Sequence, residues 1–319
     1  SDISAQQAGG AGAPQKVAGG TDAHSISVSA DGSRLAVSRM DIRQNVWAYP
    51  ALASSPVSVT TGRPVTSGTQ VVEAHDVSRD GQWLLYDSNL RGNADIYKLR
   101  LDGGEPIPLV TSHSDKFAPR WSPDGREFTY YGGPSTEVWL ASSEGGTPTQ
   151  LTNRPGFDQF PVWSPDGLRI AFNSYRAGVN ELWLLARERT GGPWHEAVRL
   201  TDFACTTAGW ASEGSGVLCL SRDSTEELVL VSSSGSVLWR RDLSASGFGR
   251  LQSPTPSEDG VFLYARASRR GSEGIWALPL DGGEPRLVVA FDDPRLAAVT
   301  TTPGLITVRG GRLYLTVAQ

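Results

Sequence analysis

A short turn recurs through this chain at a beat of about 45 residues, and that beat limits the fold more than any other feature. Ser29-Ala-Asp-Gly32, Ser78-Arg-Asp-Gly81, Ser122-Pro-Asp-Gly125, Ser164-Pro-Asp-Gly167, Ser212-Glu-Gly214 and Ser257-Glu-Asp-Gly260 place their glycines 49, 44, 42, 47 and 46 residues apart. A degenerate Thr302-Pro-Gly304 follows 44 residues later. Pro at the second turn position presets φ, and Gly at the fourth relieves crowding where the next strand starts. Three residues before the turn acid stand Val28, Val77, Trp121, Trp163, Trp210 and Pro256, a mostly apolar column.

Each beat reads as an antiparallel meander. In the clearest, Phe160-Pro-Val-Trp163 leads into the turn, 169–173 leaves it, 181–186 forms a third strand and 197–201 a fourth. The third strand recurs as Asn45-Val-Trp-Ala48, Asp95-Ile-Tyr-Lys98, Glu137-Val-Trp-Leu140, Glu181-Leu-Trp-Leu184 and Gly274-Ile-Trp-Ala277. Polar-Gly-Gly hairpins at 102–104, 144–146 and 281–283 precede the fourth strand. No stretch holds a helical period, and 36 Gly and 20 Pro against one Met fit a chain of turns and short strands. One meander has two apolar faces and cannot bury both, so the units must pack on one another. The expectation is an all-β propeller filling residues 1–319 as one domain, with seven four-stranded blades and six or eight as alternatives. The blades fall near 24–67, 72–112, 116–153, 158–202, 205–242 and 251–290, with 296–317 closed by 14–18 as the seventh. Sharing a blade between the two ends of the chain removes free sheet edges. Residues 1–10 also resemble a third strand with its Gly-Gly turn and compete with 313–317 for that place.

The formal charge of −5 and the lack of any Lys/Arg run argue against a nucleic-acid or anionic-membrane surface. No apolar run approaches the roughly 18 residues that span a bilayer. Cys205 and Cys219 fall on successive predicted strands, not directly opposite each other. They read as two buried small hydrophobes, with a disulfide as the alternative. The chain begins at Ser1 without an initiator Met or signal-like segment, as a mature secreted product or a piece of something longer would.

Trp-Ser-Pro-Asp-Gly at 121–125 and 163–167, together with Arg91-Gly-Asn-Ala-Asp-Ile-Tyr97 and Arg176-Ala-Gly-Val-Asn-Glu-Leu-Trp183, resembles the TolB-type, WD40-like propeller repeat of bacteria. The resemblance covers about residues 14–317, strong in the second to fourth repeats and faded in the fifth, sixth and last. It implies a disc with a central channel used as a binding surface in a periplasmic or otherwise extracytoplasmic setting. It particularly resembles the sensor propellers appended to membrane-anchored bacterial Ser/Thr kinases and regulators, though no kinase residues are present here.

In such a ring the Asp-Gly turns share one face, and the loops between second and third strands share the other, the expected ligand face. The column seven residues before the turn acid reads His24, Glu73, Phe117, Gln159, Thr206 and Gln252, the mixed polarity of a ligand-shaped mouth or of exposed strand ends. Arg39, Arg91, Arg176, Arg222 and Arg269 recur in the loops beside it. Their planar forks suit carboxylates, so an acidic peptide or partner loop is the expected ligand unless each pairs with a nearby Asp or Glu. His24, Glu73, Phe117, Gln159, His75, Arg91, Arg176 and Arg222 are therefore the ligand-binding candidates. His24, His75 and His113 with Asp22, Glu73, Asp76 and Asp115 offer an alternative, a channel-bound divalent metal activating water as in a hydrolase or lactonase-like propeller. Their offsets from the turn acid are unequal, which favours a non-enzymatic module with no cofactor. The turn aspartates 31, 80, 124, 166 and 259 read as turn formers, Trp47, Trp139, Trp183 and Trp276 as packing between blades, and His195 as a surface residue. No Gly-x-Ser-x-Gly elbow or phosphate loop occurs.

Overall fold

The turn network predicted from the repeat is built as expected. In the third repeat the Ser122 hydroxyl donates to Asp124 Oδ1 at 2.7 Å, while the amides of Arg126 and Glu127 donate to Asp124 Oδ1 and Ser122 Oγ at 3.1 and 3.0 Å. The same closure recurs at Ser78/Asp80, Ser164/Asp166 and Ser257/Asp259. The serine hydroxyls hold Asp80 and Asp259 below the usual carboxylate range, so these acids are committed to the turns.

A computed structural model describes residues 3–5, 15–18, 23–31, 33–39, 43–51, 55–221, 226–293 and 306–318. The chain divides into two compact units, Ser1–Ile42 and Arg43–Gln319, and the ring occupies the second. Its first blade runs His75–Val77, Trp83–Ser88, Asp95–Arg100 and Ile107–Val110, each strand pairing antiparallel with the next. The second comprises Lys116–Trp121, Glu127–Gly132, Glu137–Ser142 and Thr149–Gln150, and the third Asp158–Trp163, Arg169–Ser174, Glu181–Ala186 and Val198–Arg199. The fourth holds Cys205–Trp210, Val217–Ser221, Glu227–Val231 and Val237–Asp242. The fifth holds Gln252–Pro256, Phe262–Arg269, Ser272–Pro279 and Arg286–Ala290, with Val57–Ser58 added in parallel at its outer edge.

The sixth blade corrects the expected count of seven. It joins Thr307–Arg309 and Arg312–Ala318 to Gln44–Pro50 and Arg63–Pro64, with Arg312–Ala318 in register against Gln44–Pro50 over its whole length. The two ends of the ring do share a blade, but the closing strands are those the repeat reading gave to a 24–67 blade, not 14–18. Pro14 and residues 294–305, with their Thr302-Pro-Gly304 turn, lie outside the described residues. Gln15–Ala18 pairs instead with Ile3–Ala5, and Ala23–Val28 with Leu35–Arg39, both within the first unit. Composition explains which hairpin enters the ring. Leu313, Tyr314, Leu315 and Val317 are all buried there, whereas the Ser-rich 23–39 hairpin leaves Ile26 47% and Val28 60% exposed. Burying the larger apolar set gives the larger transfer free energy.

Six apolar clusters occupy the six junctions between neighbouring blades. One joins Val46, Ala48 and Tyr314 of the sixth blade to Val77, Leu84 and Tyr86 of the first, which closes the circle. Trp139, Trp183 and Trp276 lie in or against such clusters, as the packing reading expects. Among the described residues no helix is long and apolar enough to cross a membrane.

Cys205 and Cys219 form a disulfide, the alternative reading of the pair, and both side chains are buried. Cys205 lies opposite Ser221 and Cys219 opposite Thr207, so the bridge runs diagonally, with Cα atoms 5.7 Å apart. The loop it closes is short. Converting both cysteines to alanine is expected to lower unfolding free energy by about 3 kcal/mol, read by urea titration of the two forms side by side.

Candidate functional site

The six innermost strands run side by side around the axis, each ending in its turn. At the turn end they leave a cavity of about 250 Å³ to which all six blades contribute. The predicted ligand column does not line it. The residues four before the turn acid do: Asp76, Arg120, Val162, Gly209 and Thr255, joined by Thr307 and Arg309 of the sixth blade. That column carried a usable signal in the sequence, because adjacent repeats place opposite charges there.

A bulge explains the difference of register. Ala118, Phe160 and Ser253 occupy the same position, six before the turn acid, with φ of 48°, 53° and 48°. The strand registers shift at 117–120, 159–162 and 252–255. Such bulges re-aim the following side chains, so strict alternation counted back from the turn fails past this point.

On the wall formed by the first, second and sixth blades, Asp76 Oδ1 accepts from the Val77 amide and Oδ2 from the Trp121 amide, both at 2.9 Å. The Arg120 guanidinium donates to the His75 carbonyl at 3.2 Å and stands 3.9 Å from Asp76 Oδ1. Burial lifts the Asp76 carboxyl above its usual range against the pull of Arg120 and Arg309. Burial likewise lowers the Arg120 guanidinium, and the charge of Arg309 adds to that. Arg309 pairs with Glu258, while its Nε is buried without a partner. The facing wall of Val162, Gly209 and Thr255 is uncharged.

The opposite mouth holds part of the predicted set. Phe117 packs on Tyr131 at 5.7 Å, and Tyr131 meets Phe160 edge-on at 5.3 Å, with Gln159 half-buried alongside in the chain. Glu73 is exposed there, its carboxyl raised by partial burial and by the charge of Asp115. Buried Asp87, missed in the sequence, ties this corner together by accepting from the amides of Glu73 and Ala74 at 2.7 and 2.9 Å and of Ala118 at 3.2 Å. Burial pushes it up to about 7.

The other candidates scatter. His75 is fully buried, with Nδ1 3.4 Å from Thr316 Oγ1, and burial drives it down to about 3, so it is a neutral core residue away from the mouth. Arg91 is exposed, as are His113 and His195. Arg176 is committed to Asp158 of its own blade at 2.6 Å, and Arg269 to Glu284 at 2.8 Å. The side chains of His24 and Arg39, and all of Asp22 and Arg222, lie outside the described residues. Among the described residues no three His, Cys, Asp or Glu side chains group as metal ligands.

A family model described as TolB beta propeller domain matches residues 64–290. Among solved structures, a candidate TolB from Agrobacterium tumefaciens aligns with a TM-score of 0.66 at 19% identity, over 87% of this chain and 99% of that one. TolB from Acinetobacter baumannii gives 0.55 at 17%, over 78% and 66%. An oligogalacturonate lyase in complex with manganese gives 0.52 at 13%, over 76% and 74%. At these identities the likeness speaks for the fold alone. No curated protein matches the sequence.

Proposed function

The chain belongs to the TolB β-propeller family, and from that premise we propose a non-enzymatic binding module, a sensor or scaffold, that takes a protein or peptide segment at its axial channel. The observation that carries this reading is the turn-end cavity, a concave site lined by every blade in which a few charged groups stand against an uncharged wall. The expected ligand face was the opposite mouth. There Glu73, Phe117 and Gln159 offer a second, shallower contact surface with Tyr131 and Phe160.

The competing reading, a metal-dependent hydrolase or lactonase-like site built on His24, Glu73, His75 and Asp115, is weakened by placement. Burial in the core separates His75 from the exposed Glu73 and Asp115. An extracytoplasmic setting is part of the proposal. The buried Cys205–Cys219 bridge supports it, since such bonds persist where the surroundings are oxidising.

A random peptide display against the purified protein tests the reading. Enriched peptides are expected to lose binding to Val162→Trp, whose indole fills part of the cavity. Peptides that bind this variant as tightly as the parent would show that the channel is not the site.

A further inference from the structure

We propose that the turn-end cavity is a carboxylate site, with Arg120 and Arg309 as the anion-binding groups and Val162, Gly209 and Thr255 as the seat for an uncharged body. The inference rests on the channel-binding reading and names the chemistry of its ligand.

The donors there outnumber their acceptors. A guanidinium offers five N–H groups in a planar fork. Arg120 uses one, toward the His75 carbonyl, and its nearest carboxylate oxygen at 3.9 Å is beyond hydrogen-bond reach. Asp76 does not supply the missing acceptor at that distance, and each of its oxygens is held in place by a backbone amide. No other hydrogen bond to the Arg120 guanidinium occurs among the described residues, although its side chain is only 15% exposed. Arg309 adds a second shortfall in its buried, unpartnered Nε.

A buried donor without an acceptor, as at Arg309 Nε, is costly, and a carboxylate matches the Arg120 guanidinium fork in both shape and charge. Burial is the main cause that lowers the Arg120 guanidinium, the like charge of Arg309 adds to it, and an anion between the two relieves that repulsion. The facing wall has neither a charge to pair with a second charged end nor room for a folded element. It suits the tip of a chain ending in, or displaying, one carboxylate beside a small apolar group. Acidic side chains and free chain termini share this chemistry.

Isothermal titration with three probes tests the proposal: acetyl-Gly-Ala-Ala as the free acid, the same acetylated tripeptide as its C-terminal amide, and acetyl-Ala-Glu-Ala amide. The free acid or the glutamyl peptide is expected to bind at least roughly tenfold more tightly than the neutral amide. Whichever acid binds better identifies the source as a terminus or a side chain. Arg120→Gln and Arg309→Gln are each expected to remove that preference, while Arg91→Gln keeps it. Should Arg120→Gln fail to fold, Arg309→Gln carries the test, since its side chain is partly exposed. Equal binding of acid and amide, no binding of either acid, or unchanged preference in the arginine variants would overturn the proposal. Displayed peptides that lose binding to Val162→Trp yet show no carboxylate or arginine dependence would leave the binding module standing and remove this inference alone.

Discussion

Arg176→Ala is expected to destabilise the ring by about 3–5 kcal/mol, the cost of leaving one partner of a buried ion pair unpaired. Asp158 is fully buried, and its Oδ2 accepts from Arg176 Nη2 at 2.6 Å, while Oδ1 has no other partner. The guanidinium lies over the Trp183 ring at 4.7 Å and near Phe172 at 5.8 Å, so truncation also removes packing between the second and third strands of the blade. Once the cation is gone, the carboxylate must either remain charged in an apolar setting or take up a proton, and both weaken the fold near neutral pH. Exposed Arg91, its counterpart two blades earlier in the pattern, is expected to tolerate alanine within about 0.5 kcal/mol. The double variant Asp158→Leu with Arg176→Met should recover most of the loss, because a buried pair replaced by apolar groups of similar size is often no less stable. Urea titration of the four proteins decides the matter. A loss below about 1 kcal/mol in Arg176→Ala would return this arginine to the list of free ligand contacts.

Arg176 also shows how far the sequence could be read. The repeat revealed a propeller because turn chemistry is local: Ser, Asp and Gly at fixed offsets close the same hydrogen bonds in every blade. Blade count was harder, because the sequence holds two hairpins of the right pattern for one slot, 23–39 and 307–318. Apolar burial chooses between them, and periodicity does not measure it. At the site, the mouth residues Glu73 and Phe117 were legible as a variable column. Arg120 and Asp76 were passed over although their opposite charges stood in the sequence, because the cavity lies at the turn end and bulges at Ala118 and Phe160 displace the column drawn seven before the turn acid. Whether an arginine in a loop faces solvent or a buried aspartate depends on a partner nearly 20 residues away, and spacing alone does not show which.

Asp87 and His75 are expected to impose opposite pH slopes on stability, each hidden by the other until one is removed. Asp87 titrates near 7 in the fold against 3.8 when unfolded. The native state therefore binds the extra proton between those values, and stability falls as pH rises from about 4 to 7. Glu73, raised by burial and by Asp115, acts in the same direction. His75 titrates near 3 in the fold against 6.5 when unfolded, so its contribution is complete above 6.5 and is lost as pH falls toward 3. Over the shared window each slope is about 1.4 kcal/mol per pH unit, and the two nearly cancel in the parent. Asp87→Asn keeps an acceptor for the Glu73 and Ala74 amides and removes the charge, leaving the histidine slope exposed. Relative to the parent, this variant should gain on the order of 4 kcal/mol between pH 4 and pH 7. His75→Phe should do the reverse, losing stability relative to the parent as pH rises from 4 to 6.5. Because the prediction concerns differences between profiles, the ordinary surface carboxylates that all three proteins share drop out. Unfolding free energies measured by denaturant titration at half-unit pH steps give the profiles directly. Parallel curves for Asp87→Asn and the parent would mean that the three amides around Asp87 hold its charge as well as water does, and that burial does not govern this carboxylate.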